Sequence, residues 1–311
     1  IPLIIPNSPF RAISFFLYLK ICHCQPTYYY WGNGSPLQTA LAIQALRAFG
    51  VNAIATWSLG DRNGGIALAK DWLLAQLKTD ALWEESMGIA AVCVQAVAVC
   101  TEETTLLMDL AAECAKRLKE SQALGIRIEP HNLAEILIAL VLTTGVENQD
   151  VQLVRDSLSS MSRDRLWRAT KVLEALVLAG TNMWSPIILR PLTAIAREVS
   201  QLPIRSDNIP HFAGYITMCS VLGLTDADNG KTSLRVLLDS LGVVRTALLE
   251  LYRGDGYWGD RSTYLTAYAI QALSKMQQSE WYEVPAYEMH SILQHQKAEL
   301  SVARTLGSAN L

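Results

Sequence analysis

Asp226 and Asp228 stand one residue apart in a polar stretch, Asp226-Ala227-Asp228-Asn229-Gly230-Lys231-Thr232-Ser233, which runs into the apolar segment Leu234 to Leu241. A carboxyl group kept neutral by burial and by a second carboxylate nearby can give a proton even to a poor base. The same residues have a plainer use, because Asp228 or Asn229 can cap a helix that begins near Lys231. Glu102-Glu103 with Asp109 is the acidic cluster that could attract Mg²⁺, and acids ahead of a helix starting near Thr104 suit the helix dipole equally well. Arg163, Arg165 and Arg168 could clamp a phosphate, or line a water-facing helix. His131 follows Pro130 at what reads as a helix start. Zinc lacks a ligand set: neither Cys22-His23-Cys24 nor His211, Tyr215 and Cys219 has a fourth partner. The chain has no glycine-rich phosphate loop, nucleophile elbow or Ser-His-Asp order.

An internal repeat sets the elements that must hold these residues. Trp31-Gly32-Asn33-Gly34-Ser35 leads to Thr39-Ala40-Leu41-Ala42-Ile43-Gln44-Ala45-Leu46, and without a gap Trp258-Gly259-Asp260-Arg261-Ser262 leads to Thr266-Ala267-Tyr268-Ala269-Ile270-Gln271-Ala272-Leu273. Weaker copies run from Trp83 through Ser86 to Val94-Gln95-Ala96-Val97, and around Ala139, Ala175 and Ser220, giving about six units at the interval of a helical hairpin. Each is apolar nearly all round, as a helix covered on both sides must be. Between them lie amphipathic stretches such as Gly65 to Leu77 and Thr105 to Lys119, expected as outer helices. Strand patterns are scarce. The expected fold is all-α, an α/α barrel with an inner and an outer ring; an open superhelix is the alternative, since periodicity cannot say whether the array closes.

The bulk numbers agree with a buried core. Half of the 311 residues are apolar, and the 26 basic and 29 acidic side chains leave a net charge of -3 with no long run of either sign. That charge pattern is no nucleic-acid footprint. The six cysteines sit in apolar or helical contexts without paired spacing, and are expected as reduced, buried thiols. Ile13 to Leu19 is too short an apolar stretch to span a bilayer. With Arg11 it could be a signal-peptide core, though no small-x-small cleavage pattern follows. The start at Ile1 suggests a fragment of a longer chain. The expected division is a segment 1–30, a toroid over 31–285 and a helical tail over 286–311.

Gly254-Asp255-Gly256-Tyr257-Trp258-Gly259-Asp260, with Ala247 to Leu251 before it and Thr266 to Ala269 after, resembles a repeat of the terpenoid cyclase and protein prenyltransferase superfamily. Tyr252 or Arg253 stands near the glutamine usual in that turn. Asp226 to Ser233 resembles the Asp-x-Asp-Asp-Thr-Ala segment of class II terpene cyclases, including squalene-hopene cyclases and fungal copalyl-diphosphate-type enzymes. Here Asn229 replaces the third acid, and Gly230-Lys231 precedes Thr232-Ser233. The likeness is specific from about Asn208 to Trp281 and rests upstream on the repeat pattern. It implies an α/α toroid that cyclises a polyprenyl substrate by protonation. Asp228 would be the acid, Asp226 its partner and Asn229 an orienting group, while Tyr215, Tyr257, Trp258, Tyr264 and Tyr268 stabilise the carbocation. It further implies Mg²⁺ if the substrate is a diphosphate, an isoprenoid as partner, and a cytoplasmic protein with peripheral membrane contact. The alternatives are a non-catalytic toroid that binds an isoprenoid or a protein, and a prenyltransferase β-like subunit. Trp31, Trp83 and Trp258 read as covers for helix ends, not as chemical groups.

Overall fold

Described residues of this computed structural model are 30–31, 34–48, 66–160, 166–224, 234–253, 257–259 and 262–277. Asp226, Asp228, Asn229 and Lys231 lie outside them, as do Cys22, Cys24, Arg163, Arg165 and most of the expected terminal segments.

Ala45, Ala96, Ala139, Ala175 and Ala272, the small residues that recur at the repeat interval, have no exposed surface at all. A methyl side chain lets two helices pack at the short end of the interaxial range. These alanines lie in five helices, α1 (Pro36–Ala48), α4 (Met87–Ala98), α6 (Pro130–Thr144), α8 (Leu166–Leu178) and α12 (Thr263–Gln277), and Ser220 in a sixth, α10 (Ile209–Val221). Each packs against the next in that order, and α12 packs against α1, so the succession of contacts returns to its start. Among the described residues the other helices are α2 (Ile66–Leu77), α3 (Asp80–Glu85), α5 (Thr104–Ala123), α7 (Gln149–Ser159), α9 (Pro186–Val199) and α11 (Arg235–Glu250). The described residues are all-α, with one two-residue antiparallel ladder among them, Tyr252 opposite Trp258 and Arg253 opposite Tyr257, between α11 and α12.

Sequence pattern explains which helices lie inside. Helix α4 buries Gly88 and every residue from Ala90 to Val97, so it has no polar face to offer water. By contrast α5 buries only Leu110, Ala111, Cys114, Ala115 and Leu118, and α9 only Ile188, Leu192, Ile195, Ala196 and Val199, a one-sided stripe at helical spacing. These second-layer helices lie on the cycle: α2 on α1 and α4, α7 on α6 and α8, α9 on α8 and α10, α11 on α10. None of the described helices is long and apolar enough to cross a membrane.

The self-match in sequence is a match in hydrogen bonding. Thr39 Oγ1 accepts from the Trp31 amide at 2.8 Å and donates to the Trp31 carbonyl at 3.2 Å; Thr266 does the same for Trp258 at 3.0 and 3.3 Å. The hydroxyls of Ser35, Ser86 and Ser262 each accept from the amide three residues on, capping α1, α4 and α12. The indoles of Trp83 and Trp258 donate to Leu77 O and Leu248 O, carbonyls at the ends of α2 and α11. Trp83 is thus an equivalent of Trp258, although its surrounding sequence is a weak copy. Gly259 holds φ at +66°, a conformation that favours glycine, and turns the chain from Trp258 toward α12.

Thr266→Val keeps the shape of the side chain but strips both partners from the buried Trp258 backbone. Its expected cost is about 2 kcal/mol, the price range of unpaired buried polar groups, read as a lower urea midpoint. An unchanged midpoint would show that the entry to α12 does not depend on this clamp.

Candidate functional site

Seams between neighbouring inner helices are stitched in a fixed register. Numbering each repeat from its small residue, the position just before it is Gln44, Gln95, Ile138, Glu174, Cys219 and Gln271, and the position four before it is Leu41, Val92, Glu135, Lys171, Ile216 and Tyr268. Gln44 Nε2 donates to Val92 O at 3.1 Å, Gln95 Nε2 to Glu135 O at 2.9 Å, and Gln271 Nε2 to Leu41 O at 3.2 Å. In all three the first position of one repeat reaches the second position of the next. Arg47 Nε adds a bond to Val99 O at 2.9 Å, which shows α1 and α4 running the same way.

Where glutamine is absent the centre becomes charged. Glu174 accepts from Lys171 Nζ at 2.8 Å, one turn earlier in α8, and from Lys275 Nζ at 2.8 Å in α12. Helices α8 and α12 are not neighbours, since α10 stands between them, so the Lys275 bond crosses the middle of the cycle. Lys171 Nζ also lies 3.8 Å from Glu135 Oε1, and Glu135 Oε2 accepts from Gln95 Nε2 at 2.8 Å. Two carboxylates and two ammonium groups from α6, α8 and α12 therefore meet at the centre, beside Tyr264 and Tyr268, whose rings stand edge to face at 4.8 Å.

Burial and pairing act against one another here. Burial alone would raise Glu174, but Lys171 and Lys275 overcome it and hold the carboxyl at about 2. For Glu135 burial prevails over Lys171 and the Gln95 bond, and its pKa is raised. Lys171 is pushed down by burial and up by Glu135 and Glu174, with a net rise. Burial raises both Tyr264 and Tyr268, and neither ionises at neutral pH.

The five aromatic residues expected around one acid do not share one place. Tyr264 and Tyr268 are at the centre, within electrostatic reach of Glu135 and Lys171. Tyr215 is fully buried between α10 and α11, and its hydroxyl donates to Leu237 O at 2.8 Å, so it packs layers together. Phe212 shares a crevice with Val243, Val244 and Ala247 while Tyr215 reaches back to Leu237, so α10 and α11 run antiparallel. Leu224 and Leu234, which flank the acidic segment, consequently stand at one end of α11, and Trp258 with Tyr257 at the other. The 16 residues of α11 put about 24 Å between these ends. Trp258 is buried against Tyr252 and Leu248, the covering role its sequence suggests.

Glu102 and Glu103 are exposed just ahead of α5, and Asp109 is exposed within it. Among the described residues no group of three His, Cys, Asp or Glu side chains could hold a metal ion, so these residues do not fit Mg²⁺. Cys93, Cys100, Cys114 and Cys219 are free thiols, and burial raises all four, Cys114 and Cys219 to about 12. His131 stands in the first turn of α6, and Arg168, in α8, lies 4.0 Å from Glu129. No family model matches the chain, and no curated protein or solved structure matches it.

Glu135, Lys171, Glu174 and Lys275 were not among the residues singled out from sequence. Their signal was present in the repeat register: Glu174 occupies the position held by glutamine in three other repeats.

Glu174 and Glu135 give opposite pH signatures. The folded pKa of Glu174 lies below its ordinary value of 4.5, so its pairing stabilises the fold fully above about pH 4.5 and is lost as the pH falls toward 2. Glu135 is raised, so its ionisation in the fold is a cost that vanishes on acidification. Glu174→Gln leaves two ammonium groups around a neutral amide, an expected loss of about 3 kcal/mol at pH 7, narrowing at pH 3. Glu135→Gln retains an acceptor for Gln95 and should shift stability by less than about 1 kcal/mol. Urea titrations at both pH values test the order; a larger loss for Glu135→Gln would reverse the assignment.

Proposed function

We propose that this chain is an α/α toroid of six helical hairpins, of the terpenoid cyclase and protein prenyltransferase kind, and that it cyclises a linear polyprenyl substrate by protonation. The observation that carries the reading is the seam register: inner helices follow one another in a cycle, and glutamines at one repeat position bond the same carbonyl position of the next helix. A cycle of this kind has an interior and two mouths. The connection between α10 and α11, to which Asp226, Asp228 and Asn229 belong, joins an inner helix to an outer one, so its flanks stand at a mouth.

In this reading Asp228, kept neutral beside Asp226 and oriented by Asn229, passes its proton to a terminal carbon–carbon double bond. The π electrons form the new C–H bond, and the cation is consumed by ring closure and loss of a proton from carbon. Tyr264 and Tyr268 present faces that are neutral and electron-rich, which suits a passing cation. A polyprenyl substrate is itself apolar, which fits a cytoplasmic protein that meets its substrate at a membrane surface.

One observation favours the second reading, a non-catalytic toroid that binds an isoprenoid. The centre is occupied by four charged side chains, and a hydrocarbon placed on them would strip their mutual solvation. Outside the cycle, Val199, Leu202, Phe212, Val243, Val244 and Ala247 line a crevice of about 430 Å³ between α9 and α11. That volume falls in the range of small-molecule pockets, about 300–1,000 Å³.

Separate incubations of the protein with geranylgeranyl diphosphate, farnesyl diphosphate and squalene decide between the two. Cyclised product from wild type and at least about 100-fold less from Asp228→Asn is the expected result. Starting material alone from both, with saturable binding of one substrate that Val243→Arg abolishes, would establish the second reading and exclude the first.

A further inference from the structure

The seams of the cycle are not equivalent. From α12 through α1 and α4 to α6, every seam carries a glutamine amide bonded to a backbone carbonyl of the next helix. From α6 through α8 and α10 to α12, the residues at that position are Ile138, Glu174 and Cys219. A carboxylate has no proton to donate and isoleucine no polar group, while the Cys219 thiol is buried and a weak donor. At the α8–α10 seam the carbonyl that a glutamine would meet, Ile216 O, instead accepts from Ser220 Oγ of its own helix at 2.9 Å. Ser220 stands where the five other repeats have alanine. The hydroxyl satisfies from within α10 an acceptor that elsewhere binds the neighbouring helix, so acceptor and lost donor have changed together.

Glu174, freed from the seam, is turned to the centre and held there by Lys275 of α12. The bond spans past α10 and ties the two helices on either side of it. We infer that the wall of the cycle opens at α8–α10, and that the Glu174–Lys275 pair is the latch that holds this half closed. The groups facing the latch are Lys171 of α8, Glu135 of α6 and Tyr264 and Tyr268 of α12. The inference concerns access to the centre, whatever the ligand, and does not depend on cyclase chemistry.

Native-state hydrogen exchange by mass spectrometry tests it on the unmodified protein. Peptides from α8 and α10 should exchange at least about tenfold faster than those from α1, α4 and α6, through an opening below global unfolding. Lys275→Gln should raise exchange a further tenfold or so in α8, α10 and α12 only, while Gln44→Ala should raise it in α1 and α4. The triple variant Lys275→Gln, Glu174→Gln, Ser220→Ala recreates a glutamine seam facing a free Ile216 carbonyl and leaves Lys171 paired with Glu135. It should return α8 and α10 to the wild-type rate or below. Equal exchange around the cycle in wild type, a uniform rise in Lys275→Gln, or a triple variant no slower than Lys275→Gln would each overturn the latch.

Discussion

Everything in this fold depends on how closely one inner helix can approach the next. Ala45, Ala96, Ala139, Ala175 and Ala272, one in each of five of these helices, carry a single methyl group, and each is wholly covered. Close backbones bring a glutamine amide within reach of a carbonyl one helix away, a bond that a bulkier seam would break. Helices so packed cannot also face water, which is why α4 is buried around its circumference and has α2 and α5 packed outside it. The second layer follows from the first: its helices need only one apolar stripe, and α5 and α9 have one each.

The entry to each inner helix solves a second problem set by the same packing. A helix that starts in the interior has four amides without carbonyl partners, and the preceding outer helix ends with four carbonyls in the same condition. Serine hydroxyls at 35, 86 and 262 take up the first set, and indoles at 83 and 258 donate to the second. One short motif, tryptophan followed within a few residues by serine, thereby closes both ends of a hairpin connection. This is a structural reason for a tryptophan at 83 and at 258.

Sequence reading reached the helices and their layers because both leave a periodic trace. The small residue at the repeat interval falls in six helices that contact one another in succession, and the stretch near Thr105 to Lys119 marked α5 by its one-sided charge. The two-residue ladder at Tyr252 and Tyr257 was not visible, since it is too short to alternate. The grouping of Tyr257 and Trp258 with Tyr215 around one acid rested on nearness along the chain. Helix α11 runs between them and carries that nearness to opposite ends. The charged centre was missed for the converse reason: Lys275 and Glu174 are 101 residues apart, and neither looks unusual in a helix. Only the register of the repeats, which puts Glu174 where Gln44, Gln95 and Gln271 stand, distinguishes it from a solvated glutamate.

That register also explains why a charged cluster can persist at the centre of an apolar protein. Each of the four groups would be costly alone, since burial opposes ionisation of Glu174, Glu135 and Lys171 alike. The cluster is tolerated because its charges cancel and because Lys275, about a third exposed along its side chain, still reaches water. Replacing the pairs with well-packed apolar residues could leave stability unchanged or raise it, as is common for buried ion pairs. Such a network is better understood as setting which helices lie opposite one another. Lys275 can satisfy Glu174 only when α12 has come round to complete the circuit, so the charges report closure in a way that apolar contacts, indifferent to partner, do not.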